Sequence, residues 1–250
     1  MNVNDIICLG AEPFALVNYL ALGKPRPQLV KQVMRGLVRG AREAGVAIVS
    51  GETAVMPDVV KGFDLAATVV GVVKKNVIVT GAETEPGDVI LGLRSSGIHS
   101  NGLTLARKLL LRPRAQSVIL RELLKPTRIY VSQILSLLRS GKGIHGLAHI
   151  TGGGYSKLKR IGVRAKVGFM LDRLPPPQWI FREIQSRGRV SDREMYRTFN
   201  MGTGFLIMCD RRAVGRFKLA LPELREVGYV TSTRSVVIGA GGLEIEVERW

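Results

Sequence analysis

Apolar and polar residues follow two spacings along this chain, and the switches between them mark out its elements. Between residues 28 and 44, Leu29, Val30, Val33, Met34, Leu37, Val38 and Ala41 recur at three and four, which predicts a helix with one buried stripe. Pro25 and Pro27 introduce it and Gly45 ends it. Shorter apolar runs predict strands over 46–49, 65–73, 77–80, 88–93, 144–150, 167–171, 205–209, 229–231, 236–238 and 243–247, the first of them buried. Residues 14–21 fit a short strand or a short helix. Further helices are expected over 103–111, over 155–161, 179–186 and 211–220, and from Pro126 to Gly141 with Ile129, Ile134, Leu135 and Leu138 inward. Arg112-Pro113-Arg114 should stop the 103–111 helix, and the stretch to Lys125 reads as helical. Ser191 with Glu194 fits a capping box.

This succession predicts an α/β fold with α+β mixed sheets, in two domains. The most linker-like stretch runs from Gly81 to Gly87, which gives an N-terminal domain over 1–86 and a C-terminal domain over 87–250. A glycine content of 29 in 250 residues and an aromatic share of 6% suit an α/β chain with many tight turns. Charge or glycine interrupts every apolar run, so no membrane-spanning helix is expected. The start lacks the basic and apolar regions of a signal peptide. Cys8 and Cys209 are too few for a disulfide framework, so a cytoplasmic location is expected.

A net charge of +17 admits nucleic acid as a partner, but the basic residues are scattered along helices and no recognition motif accompanies them. The densest group, Lys157, Lys159, Arg160, Arg164 and Lys166, has only Tyr155 and Phe169 nearby to stack bases. Phosphorylated small substrates account for the charge equally well.

Candidate chemistry sits at three glycine corners. Ser95, Ser96, Gly97, His99, Ser100, Asn101 and Gly102 lie where a strand stops and a helix restarts, a junction that aims backbone N–H groups and a helix dipole at one point. The same stretch also reads as an ordinary turn with Asn101 as helix cap. In the anion-binding reading, glycine keeps side chains away from the ligand, and His99 is the loop residue able to exchange a proton near neutral pH. A histidine in such a loop should contribute little to a core. Thr151-Gly152-Gly153-Gly154 forms the second corner, and Asn200 with Gly202 and Gly204 the third. Asn4-Asp5 before Gly10 reads as a metal-holding corner or a plain helix cap, and Glu52 after a strand end as a ligand for a hard cation or a solvated loop residue. His145 and His149 have a spacing that suits metal only on a helix, so on a strand they read as structural.

Taken together, Val3-Asn4-Asp5, Gly51-Glu52-Thr53-Ala54, Ser95-Ser96-Gly97-Ile98-His99-Ser100-Asn101-Gly102, Pro126-Thr127-Arg128-Ile129-Tyr130, His149-Ile150-Thr151-Gly152-Gly153-Gly154 and Glu194-Met195-Tyr196-Arg197-Thr198-Phe199-Asn200 occur in one order. This set resembles the aminoimidazole ribonucleotide synthetase family, the phosphoribosylformylglycinamidine cyclo-ligases of purine synthesis. Several motifs are shared by a wider superfamily, including thiamine-monophosphate kinase and a hydrogenase-maturation protein. Another ATP-using member of that superfamily, or an inactive anion-binding homologue, is the alternative reading.

The resemblance implies ATP-driven ring closure of formylglycinamidine ribonucleotide, with Mg2+ on the nucleotide. It assigns Asp5 and Glu52 to the metal, Asn4, Asp5, Gly51, Glu52 and Thr53 to the nucleotide, and His99 to catalysis. Ser95, Ser96, Gly97, Ser100, Asn101, Gly102, Thr151, Gly152, Gly153, Gly154 and Asn200 would cradle substrate or phosphate. It also implies a homodimer formed through the strands of the first domain, and a further segment ahead of Val3-Asn4-Asp5. If a separate chain supplies that segment, the first sheet should present an unpaired edge.

Overall fold

A computed structural model describes residues 1–111, 117–240 and 243–250; the expected stop at Arg112-Pro113-Arg114 lies outside them. Two compact units divide the chain: Met1–Ile78 with Ile129–Leu135, and Val79–Arg128 with Ser136–Trp250.

The first unit opens with a short helix, α1 (Asn2–Ile7), followed by β1 (Glu12–Leu22). Residues 14–21 are therefore strand. The amphipathic stretch forms α2 (Pro27–Ala44), and Gly45 closes it in a left-handed conformation, its N–H and that of Val46 taking the Arg42 and Ala41 carbonyls. The stripe on α2 is mostly half-buried, and only Ala41 and Ala44 are fully covered. Next come β2 (Ala47–Val55) and β3 (Phe63–Val72). They flank β1 in a three-stranded sheet, β2 parallel and β3 antiparallel to it. The strand expected to be buried at 46–49 is instead largely exposed, because β2 is a sheet edge whose apolar ends flank the block Ser50-Gly51-Glu52-Thr53. A small core of Val3, Leu16, Ala41, Val46, Val69 and Val131 holds the unit together. The expected strand at 77–80 does not form: Lys75–Val77 makes a 3₁₀ turn, and among the described residues no strand pairs with the run.

The second unit holds β4 (Val89–Arg94), α3 (Leu103–Leu110) and α4 (Ser117–Leu123). Helix α5 (Val131–Arg139) starts within the first unit and ends within the second. There follow β5 (Ile144–His149), α6 (Lys159–Ala165), β6 (Gly168–Leu171), α7 (Trp179–Gly188) and α8 (Asp192–Thr198), the last capped by Ser191 as expected. The chain finishes with β7 (Thr203–Cys209), α9 (Val214–Ala220), β8 (Arg225–Thr231), β9 (Ser235–Ala240) and β10 (Leu243–Arg249). Seven strands pair in the order β10-β9-β6-β8-β4-β7-β5, with β6 and β9 parallel and the other neighbours antiparallel. Both units thus carry mixed sheets with helices. The core of this unit joins Ile90, Phe169, Leu206 and Ile238 of the sheet to Leu110, Ile119, Phe181 and Met195 of the helices. At about 25 cal/mol per Å2 of apolar surface, such a core dominates the unit's stability.

Candidate functional site

Strand β4 delivers the chain into the loop that starts at Ser95, and most of that loop's polar groups hold the loop itself in place. Ser95 N–H donates to Gly202 O at 3.0 Å, and Ser95 O accepts from Gln178 Nε2 at 2.9 Å. Ser96 Oγ donates to Pro126 O at 2.6 Å, and the Ser100 and Thr127 hydroxyls meet at 3.0 Å. The cap of α3 is Gly102 in a left-handed conformation (φ 70°), not Asn101, and a Cβ there would collide with the Phe199 ring.

The other two corners converge on this loop. Asn200 is buried and well bonded: Nδ2 donates to Gly97 O (2.9 Å), Oδ1 accepts from Gly202 N–H (2.9 Å), and its carbonyl accepts from Tyr155 Oη (2.9 Å) and Thr203 N–H (3.0 Å). Lys157 reaches the Thr151 hydroxyl. A Cβ on Gly154 would strike the Tyr196 carbonyl, and one on Gly152 would stand 2.8 Å from Asn101 Oδ1. Close packing among the corners therefore requires glycine at 102, 152 and 154. Gly97 has no atom nearer than 3.7 Å to such a Cβ.

His99 sits in this cluster at 3% exposure, in a left-handed conformation (φ 58°), its ring 6.2 Å from that of His149. Burial, with the charge of His149 next in weight, pushes its pKa down to about 3. The expectation that it exchanges protons near neutrality is corrected: the ring stays neutral. Ser96 N–H donates to His99 Nε2 at 3.2 Å, which leaves the ring proton on Nδ1. His99 is also core rather than surface, contrary to the minor structural part expected of it. His149 stacks on Phe205 with centroids 6.1 Å apart, whereas His145, at a bulge in β5, meets Asp88 at 2.8 Å. The two histidines thus serve different neighbours.

In the first unit, Asn4 lies within α1, fully buried, and its Oδ1 accepts the Tyr130 N–H at 3.0 Å. That bond joins two of the sequence motifs and gives Asn4 a structural task; Asp5, next to it, is exposed. Neither residue caps the helix, which begins after Met1. Gly51, Glu52 and Thr53 are not in a loop beyond a strand end: they lie inside β2, opposite Asn18, Tyr19 and Leu20 of β1. Glu52 Oε1 accepts the Thr53 N–H at 2.9 Å, at the edge of a hollow of about 400 Å3 shared with Asn18, Tyr19 and Thr68. Among the described residues no group of three or more His, Cys, Asp or Glu is placed to hold a metal.

Sequence reasoning gave no site role to Gln178, to Thr127 and Arg128 of the 126–130 motif, or to Arg94, Arg173 and Arg225; the four arginines line one cleft of about 680 Å3. Arg94 ends β4, Arg225 opens β8, and Arg128 and Arg173 lie in separate loops, so no run of charge announces them.

Residues 1–73 match the N-terminal domain, and residues 85–240 the C-terminal domain, of AIR synthase related proteins. The chain belongs to the AIR synthase related family. Within that family it is 52% identical over 220 residues to the phosphoribosylformylglycinamidine cyclo-ligase of Methanocaldococcus jannaschii, covering 84% of this chain and 62% of that protein. It is 48% identical over 253 aligned positions to the enzyme of the same name from Pyrococcus furiosus, covering 98% and 74%. This family member therefore spans roughly two thirds of the length of those relatives. Its fold recurs in the hydrogenase maturation protein HypE in complex with ATP (TM-score 0.75, 22% identity, covering 100% of this chain and 77% of that one). It recurs also in AaThiL complexed with AMPPCP and TMP (TM-score 0.71, 17% identity, 100% and 76%).

Proposed function

We propose that this chain is an ATP-dependent cyclo-ligase that closes formylglycinamidine ribonucleotide to aminoimidazole ribonucleotide in purine synthesis. The observation that carries the reading is the 48% identity across 98% of the chain to a named cyclo-ligase. The convergence of the three glycine corners around His99 supports it.

The chemistry has two steps. The amide oxygen of the substrate attacks the γ-phosphorus of ATP; an O–P bond forms, the bridging O–P bond breaks, and ADP leaves. An internal nitrogen then attacks the activated carbon, the C–O bond to phosphate breaks, and the nitrogen loses a proton as the imidazole forms. Amide oxygen is a poor leaving group and phosphate a good one, which is why ATP is consumed. Positioning and neutralisation of charge carry such a reaction. The 95–102 and 151–154 segments and Asn200 supply positioning. A neutral His99, with its proton on Nδ1, donates a hydrogen bond to developing negative charge rather than shuttling protons in bulk water.

Magnesium fits the first unit in a limited sense. Exposed Asp5 and Glu52 form no protein-only cage, but one or two carboxylates together with nucleotide phosphates and water are what this ion takes. Bound there, it would neutralise phosphate charge. Asp5→Asn should then weaken nucleotide binding at millimolar Mg2+ and leave it unchanged in EDTA; equal affinities at both metal levels would remove Asp5 from the site. The apolar residues exposed on β2 and β3, among them Val49, Val55, Phe63 and Val72, support a homodimer through this sheet. No helix of the described residues is long and apolar enough to cross a membrane, and a cytoplasmic location suits the two free thiols.

The deciding assay supplies the chain with formylglycinamidine ribonucleotide and ATP. One ADP and one phosphate are expected per imidazole formed. ADP release with no imidazole product would overturn the assignment.

A further inference from the structure

The four arginines missed by the sequence reading face one another across a single cleft in the second unit. Glu223 and Glu226 share its lining, yet both already have cationic partners: Arg128 Nη2 stands 2.6 Å from Glu223 Oε1, and Lys218 Nζ 2.6 Å from Glu226 Oε1. Arg94 Nη2 donates to Pro176 O at 3.2 Å, and Arg225 Nη1 to the Pro222 and Leu224 carbonyls at 2.7 and 2.9 Å. Those carbonyls orient the two guanidiniums without cancelling their charge. Arg173 meets Asp172 through Nε at 3.2 Å and is about half exposed. The lining thus keeps a net positive charge, held on planar groups that match phosphate oxygens two at a time. Leu174 and the Pro175-Pro176 step add an apolar wall, and a cleft of about 680 Å3 suits a ligand of mononucleotide size.

The position of the cleft is informative. Arg94 directly precedes Ser95, and Arg128 donates to Arg94 O at 3.2 Å just after Thr127, which meets Ser100. The cleft and the His99 loop therefore share their backbone supports. Glu223 and Glu226 would repel the repeated phosphates of a nucleic-acid strand, whereas one dianionic group can sit among the arginines.

We infer that this cleft binds the phosphate monoester of the ribonucleotide substrate, anchoring the end remote from the reacting amide beside the loop that acts on it. The inference rests on the ring-closing reading above. Its test separates the two. Arg173→Gln, Arg225→Gln and the double variant are compared with the parent in two measurements: titration calorimetry with ribose 5-phosphate and with ribose, and steady-state ring closure. Calorimetry should show ribose 5-phosphate bound by the parent, ribose not, and affinity lowered at least tenfold in the double variant. Turnover should show the KM for the ribonucleotide raised by a similar factor, with kcat and the KM for ATP little altered. Phosphate-dependent binding that needs the arginines, in a chain that closes no ring, would sustain the cleft and discard the reaction. Normal ring closure with an unchanged KM in the double variant would discard the cleft and sustain the reaction. A raised KM for ATP alone would reassign the arginines to the nucleotide and overturn the inference.

Discussion

Strand β7 of the second unit has no exposed residue, whereas β2 of the first has no buried one. The sequences explain the contrast. Phe205 to Cys209 is an unbroken apolar run in the interior of a seven-stranded sheet, with neighbours β4 and β5 on either side. Strand β2 carries the block Ser50-Gly51-Glu52-Thr53 between its apolar ends and lies at the edge of a three-stranded sheet. A chain places its self-sufficient core where one run is apolar on both faces, and leaves half-polar strands for partners or ligands. The second unit should hold its fold by itself. The first should depend more on what covers it.

The largest effect expected from that contrast is on β7. Phe205 is fully buried against His149, so Phe205→Ala should cost about 3–5 kcal/mol, whereas Val49→Ala on β2, 60% exposed in the single chain, should cost less than about 0.5 kcal/mol at concentrations where the chain is monomeric. Denaturant midpoints of the two variants check this. Equal losses would break the comparison between the sheets.

Next in size is His99. Its substitution by Gln should lower turnover about a hundredfold, equivalent to roughly 2.7 kcal/mol of transition-state stabilisation. Because the ring is buried and accepts the Ser96 N–H, the same change should also lower the melting temperature. Pre-steady-state kinetics on the folded fraction separates the two losses; full turnover there would end the catalytic assignment.

How much of this was legible beforehand differs between the two sheets for the same reason. The apolar residues of 88–93, which follow Asp88, and the unbroken run 205–209 announced β4 and β7 within a residue or two, because burial on both faces leaves no other use for them. The 77–80 run looked alike but lacks a partner strand, and pairing is decided by residues distant in sequence. Gly51-Glu52-Thr53 read as a loop because glycine and polar residues usually mean one; its pairing with Asn18, Tyr19 and Leu20 overrode that preference. At the site, the glycine corners were visible as motifs, and that they meet follows from Asn200 bonding Gly97 across the unit. His99's low proton affinity was not visible, since burial belongs to the fold and not to the residue type. The arginine cleft was hidden because each arginine stands alone in its stretch of sequence.

An effect that is smaller per pH unit follows from the His99 pKa, and its sign is fixed. The folded ring takes a proton only near pH 3, while an unfolded histidine titrates near its ordinary value of about 6.5. Between these pH values the unfolded chain binds more protons, so stability falls as pH drops through that window, by about 1.4 kcal/mol per pH unit from this group. Urea midpoints measured from pH 7 to pH 4 should fall less steeply in His99→Gln than in the parent. Parallel slopes would mean that the histidine is protonated in the folded state after all.

The smallest effect expected in the single chain is that of Val49→Thr, and it probes what covers the first sheet. Valine and threonine are nearly equal in shape, and both favour a strand, so on an open face the exchange should move stability by less than about 0.5 kcal/mol. Under a second copy of the chain the hydroxyl would be taken out of water without an assured partner, at roughly 1–3 kcal/mol. The two situations can be produced in one sample by dilution. At concentrations where the proposed homodimer dissociates, parent and variant should melt together. At concentrations where it forms, the variant should melt lower and dissociate at a higher concentration in sedimentation velocity. Coincident curves across the whole range would mean that β2 faces solvent in the assembled protein, and the dimer would then have to be sought away from this edge.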